Sequence, residues 1–312
     1  MRLAFRLAAS AAMLSCAVPA LAHRAWLVPS TTIVSGTDDW VSIDAAISND
    51  LFFADHNAMR PDMVKVWAPD GSPAQIQNAA TLHYRSVFDV KLDKPGTWKI
   101  GTTQSAVMGS FKVDGKDWRV GGRGFGGPGG PGGPGGPGRP GGPAGAAPGA
   151  ARPAGEGPPP GFQPRPSVAT VADIPANATD VKLTEIVGQN NVFITAGAPT
   201  ATVFQPTNKA LEMVPVTHPD ELVSNEPAKF RFLIDGKPAA GLKVTLVPGG
   251  KRYREGEGAF DVTTGADGVA EVKWPFAGLF WLNATSTDAH PSASRATERR
   301  MSYTATLEVV AP

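Results

Sequence analysis

The chain has 312 residues, 42% of them hydrophobic, which is material for two ordinary domains, each with a core of its own. Lys and Arg number 29 against 28 Asp and Glu, a formal net charge of +1, so no electrostatic excess recruits nucleic acid or an anionic membrane surface. The only cysteine, Cys16, excludes a disulfide framework.

Arg2 and Arg6 precede an apolar run from Leu7 to Ala17, and Pro19-Ala20-Leu21-Ala22 then offers a small-x-small site before His23. This pattern predicts a secretory signal over residues 1–22, cleaved after Ala22, and an exported, periplasmic mature chain starting at His23. Lipidation of Cys16 is the weaker expectation, because Met13-Leu14-Ser15 is a poor lipobox. The apolar run is too short and too rich in alanine to span a bilayer, and nothing downstream is long enough.

From residue 23 the patterning is β. Val41, Ile43, Ala45 and Ile47 alternate with polar or small residues, the period of a half-buried strand. Leu82, Tyr84, Phe88 and Val90 predict a second strand carrying His83 on its polar face, followed by a turn at Lys94-Pro95-Gly96. The composition changes at Gly121 and recovers near Ser167, with repeated Gly-Gly-Pro between, which predicts a disordered insertion over 121–167. Within it, Gly122 to Gly127 matches the dinucleotide fingerprint formally, but no buried strand precedes it and no helix follows. Strands are predicted over Lys229 to Ile234, Leu242 to Val247, Val269 to Trp274, Leu279 to Ala284 and Ser302 to Val310, with turns at Asp235-Gly236, Asp267-Gly268 and Ala277-Gly278. The expected fold is therefore all-β: two antiparallel immunoglobulin-like or transthyretin-like sandwiches. The first covers 23–120 and is completed by 168–205, the segment Val181 to Thr195 returning to it; the second covers 206–312.

The mature chain has no G-x-S-x-G elbow, H-E-x-x-H pair, P-loop or zinc-binding cysteine spacing, which argues against an enzyme. Chemistry concentrates instead on His23. As a mature N-terminus it joins a free α-amine to an imidazole, a nitrogen-rich chelate suited to copper or nickel and similar to the histidine brace of copper monooxygenases. His83 and His56 are the candidates for a second metal ligand, His83 preferred, and Asp55 or Asp89 for an oxygen ligand. His218 and His290, each before a proline, read as turn residues, Lys251-Arg252-Tyr253-Arg254 as a solvated loop, and Trp26, Trp67, Trp98, Trp118, Trp274 and Trp281 as core.

His23-Arg24-Ala25-Trp26-Leu27-Val28-Pro29, Leu211 to Val216, Asp235 to Val244, and Thr264-Gly265-Ala266-Asp267-Gly268 leading to Gly278 to Leu282 together resemble the bacterial domain of unknown function 4198 family, over nearly all of the mature chain. The Asp-Gly-Lys-Pro and Asp-Gly stretches are also similar to transthyretin-like and carboxypeptidase-regulatory-like modules. The family resemblance implies a periplasmic component of metal acquisition, of the kind labelled a nickel- or cobalt-uptake protein, with a membrane uptake component as partner. The resulting expectation is a metal-binding accessory protein holding one Cu, Ni or Co ion through His23. The alternatives are a non-catalytic envelope scaffold or a carbohydrate- or protein-binding module, and more remotely a copper monooxygenase.

Overall fold

The computed structural model describes residues 23–121 and 165–312. The predicted signal peptide with its cleavage point, Cys16, and nearly all of the Gly/Pro tract including Gly122 to Gly127 lie outside the described residues. Fifteen strands carry the fold: β1 (Arg24–Pro29), β2 (Asp39–Ser48), β3 (Val64–Trp67), β4 (Gln77–Thr81), β5 (Ser86–Leu92), β6 (Gly96–Val113), β7 (Lys116–Val120), β8 (Thr179–Ala196), β9 (Leu211–Pro215), β10 (Pro227–Ile234), β11 (Lys243–Pro248), β12 (Phe260–Thr263), β13 (Val269–Lys273), β14 (Gly278–Asp288) and β15 (Glu298–Val309). No described helix is long and apolar enough to cross a membrane.

The architecture is the all-β sandwich that the alternation predicts. A first sheet runs β1-β2-β5-β4, a second runs β7-β6-β8-β15-β14-β11-β12, and a third joins β9, β10 and β13. Val41, Ile43, Ala45, Phe88, Val90 and Leu92 of the first sheet pack against Trp98, Ile100, Val192 and Ile194 of the second. On the opposite face of that second sheet, Phe280, Leu282, Ala305 and Leu307 meet Phe230, Phe232, Ala270 and Val272 of the third.

The second sheet is common to both sandwiches. β8 pairs antiparallel with β6 along its length and parallel with β15, from Thr184 opposite Glu298 to Val192 opposite Thr306. Because strand side chains alternate between faces, Val192 and Ile194 enter the first core while Phe193 enters the second. Arg299 adds a polar tie: its guanidinium, almost wholly buried, bonds both Asp235 at the end of β10 and Asp288 on β14. Those bonds hold both carboxyls below the ordinary carboxylate range.

Two local expectations are corrected. Leu82 and Tyr84 do not lie on a strand; they sit in a tight turn closed by the Leu82 N–H on the Arg85 carbonyl at 2.8 Å, and both are exposed. His83 is accordingly a turn residue between β4 and β5. The basic run at 251–254 is not merely solvated: Lys251 bonds Asp50 at 3.0 Å, Arg252 lies over the Phe53 ring, and Arg254 donates to the carbonyls of Pro248, Gly249 and Glu257.

Those contacts surround a small junction core of Trp26, Ala46, Leu51, Val247 and Trp281, where β1 and its neighbouring loop meet the C-terminal strands. Trp26 is fully buried and donates its indole N–H to Ser48 Oγ at 2.6 Å, and the Trp281 indole donates to the Ala25 carbonyl at 3.1 Å. Trp26→Ala is therefore expected to cost about 3–5 kcal/mol in urea unfolding, whereas Tyr253→Ala, at a side chain 84% exposed, changes stability by less than about 0.5 kcal/mol.

Candidate metal centre

The first described residue, His23, stacks on His56. Their ring centroids are 3.7 Å apart and the planes 11° from parallel. The contact follows from pairing at the end of β2: Arg24 is opposite Ser48 on one edge, while Asn57 is opposite Ile47 on the other, so both histidines reach the point where β2 ends.

The surroundings fix each side of the pair. Arg24 forms an ion pair with Glu257, donates to the Asn49 carbonyl, and lies 5.7 Å over the Trp281 ring. The loop leading to His56 is anchored by Phe52, which meets the edge of Trp26 at 6.0 Å and packs so closely on Gly249 that a Cβ there would fall 2.6 Å from the phenyl ring. Phe52 itself holds φ of +62°, a left-handed conformation costly for a bulky side chain and sustained only by surrounding contacts.

The other predicted ligands stand apart from this pair. His83 packs edge-on against Tyr84 at 4.3 Å. Asp89 accepts from Ser42 Oγ at 2.6 Å and Asn78 Nδ2 at 2.8 Å, bonds that keep its carboxyl below the ordinary range. Asp55 neighbours His56, but its carboxylate accepts the backbone N–H groups of Asn49 and Asp50, closing its own loop.

The donor set suits a nitrogen-ligating transition metal in type and proximity. Imidazole lone pairs lie in the ring plane, so in a parallel stack they run side by side; one ring must turn for both to meet a single ion at about 2.0–2.1 Å. Among the described residues no group of three or more His, Cys, Asp or Glu side chains is disposed to hold a metal.

A second polar cluster, built round His218, has members too far apart in the chain for any local motif to join them. His218 Nε2 lies 3.0 Å from Thr97 Oγ1; Thr97 and Thr195, opposite each other on β6 and β8, are linked Oγ1 to Oγ1 at 3.0 Å; and Thr195 donates to the Asp220 carboxylate. Burial pushes the Asp220 carboxyl up to about 7, aided by the negative charges of Glu308 and Glu221 and opposed by the Thr195 bond. Burial also moves His218 below the ordinary imidazole range, against the charge of Glu221 and the Thr200 backbone.

These features define an all-β sandwich protein with a histidine pair at the start of its first strand. The chain belongs to the family described as domain of unknown function (DUF4198), which matches residues 20–288. No curated protein matches it. Among solved structures, it is similar to Escherichia coli alpha-2-macroglobulin activated by porcine elastase at 12% identity and a TM-score of 0.19, too low to define a common fold. The match covers 91% of this chain and 20% of that one, so the chain spans about a fifth of that protein's length.

The Asp220 carboxyl, raised from 3.8 to about 7 on folding, contributes stability that is fully present below about pH 4 and lost as pH rises through 7. Asp220→Asn keeps an acceptor for Thr195 and removes the buried charge. Denaturant titrations at pH 5 and pH 8 should show the variant gaining roughly 3 kcal/mol on the wild type between those values.

Proposed function

We propose that this protein is a transition-metal-binding accessory protein of an exported metal-handling system, its metal held at the N-terminus of the mature chain by His23 and His56. One observation supports this reading above the rest: the stacked imidazole pair at the beginning of β1. His56 takes the place that the sequence reading preferred for His83.

On this reading, cleavage after Ala22 frees the His23 amine, which joins the two imidazoles in a three-nitrogen set suited to Cu(II) or Ni(II). The chain's own contribution is positional. The Arg24–Glu257 ion pair fixes the first residues of β1, and the Phe52 anchor fixes the approach to His56. Neutral nitrogen ligands compete with protons, so affinity falls as pH drops through the imidazole and amine range. Membership of the DUF4198 family is compatible with this role and does not assign it.

The rim of the site also favours a second reading, a protein- or carbohydrate-binding module. Phe53, Tyr253 and Phe276 are all exposed, and Arg252 and Arg254 lie over the Phe53 and Phe276 rings. Such aromatic and arginine side chains are the usual anchors of an interface.

The deciding experiment is calorimetric titration of Cu(II) and Ni(II) into protein purified from the periplasm, with the His23 start confirmed by mass. One-to-one binding is expected, weakened at least 100-fold by His56→Ala and by one extra residue before His23, and unchanged by His83→Ala. Equal binding by all four proteins, or none by the wild type, overturns the metal reading and leaves the binding module in front.

A further inference from the structure

The hydrogen bonds around His218 run in one direction only. The Asp220 backbone N–H donates to His218 Nδ1 at 3.2 Å, so that nitrogen carries the lone pair, and the ring proton of the neutral imidazole sits on Nε2. Nε2–H then donates to Thr97 Oγ1, which also accepts the Thr200 N–H at 3.0 Å. Thr97 has a single proton to give, and it goes to Thr195; the Thr195 proton goes to Asp220. Each proton in the chain is given once, Thr97 Oγ1 accepts twice, and the set closes with one tautomer of His218.

This closed set joins two parts of the molecule. Thr97 and Thr195 belong to the shared second sheet, while His218 and Asp220 belong to the turn between β9 and β10, closed by the Glu221 N–H on the His218 carbonyl. The His218 ring also meets the Phe204 ring edge-on at 5.3 Å. It lines a cavity of about 220 Å³ with Phe204, Pro206, Val214, Pro215 and Val216.

We infer that the 218–221 turn is a proton-operated latch: a proton added at His218 Nδ1 sets an N–H against the Asp220 N–H and breaks that bond within the turn, freeing the Asp220 amide while Nε2–H keeps its bond to Thr97 on β6. The acceptor has become a donor facing a donor, and no rotation of the ring about its own axis restores the set, because both ring nitrogens of an imidazolium are donors. The charged groups facing the pair are Glu221 from the turn itself and Glu308 from β15, whose carboxylate accepts from Thr32 at 2.7 Å; the Thr200 backbone faces His218 from the loop after β8. Those two carboxylates delay protonation of neither group. Burial lowers His218 and raises Asp220, so the carboxyl takes up its proton first as pH falls and the latch responds to the second, imidazole step.

The test is nitrogen-detected NMR of the ring-labelled protein together with amide exchange across the same pH range. At pH 7.5 His218 is expected as the Nε2–H tautomer, with the Asp220 amide protected. Through the His218 titration, below about pH 6.5, Asp220 protection corrected for intrinsic exchange should fall at least tenfold, while Val192 and Ile194 in β8 stay protected. His218→Asn, which keeps an acceptor oxygen and cannot titrate, should hold Asp220 protected throughout. An Nδ1–H tautomer at neutral pH, or Asp220 protection that stays constant while His218 titrates, overturns the latch. Should the variant fail to fold, the two wild-type measurements decide.

Discussion

Everything in this molecule hangs on β8 lying between two partners. On one side it pairs antiparallel with β6, on the other parallel with β15, so its backbone groups are satisfied from both halves of the chain. Its side chains divide in the same way, Val192 and Ile194 into one core and Phe193 into the other. A residue-by-residue alternation that elsewhere separates core from solvent here separates core from core. The run from Val192 to Ala196 is accordingly buried throughout, the signature of a strand covered on both faces. The two sandwiches in consequence share one sheet, and each core is closed by the opposite face of the same strand.

The histidine pair and the His218 relay both sit near that shared sheet. The His23–His56 pair lies where β1 and the 49–56 loop meet the β11 and β14 side of the second sheet; the His218 relay lies where the 218–221 turn meets β6 and β8. The difference between them is instructive. His23 and His56 face each other with neither ring hydrogen-bonded among the described residues, whereas both nitrogens of His218 are engaged. The first is a stacked pair of rings, and the second is a ring held on both sides.

The strands were largely legible, because alternation and turn residues are local signals: β2, β10, β11, β13, β14 and β15 fall close to their predicted ranges. The misreading at Leu82 to Arg85 shows the limit of the method. Leu82 and Tyr84 kept the apolar period of β5, but a four-residue turn presents alternate side chains just as a strand does, and only the Leu82 to Arg85 bond distinguishes them. The parallel pairing of β8 with β15 joins segments more than a hundred residues apart, and no periodicity encodes a partner at that range. The same applies to the site. His23 stood out from its place after Ala22, but its approach to His56 depends on two strands flanking the end of β2, and the relay to Asp220 depends on register across β6 and β8.

At the far end of the long β6 and β8 ribbon, Arg119 and Val120 lie beside Ser167 and Val168 in a short parallel pairing, over a small core of Phe111, Val120, Ile174 and Leu183. The chain therefore leaves the described fold after Val120 and rejoins it on the same sheet edge, Ser167 and Val168 running parallel beside Arg119 and Val120. Both ends of that passage are pinned on one sheet edge, away from the His23–His56 pair and from the 218–221 turn, so the fold separates the place where the chain departs from the places where its histidines gather.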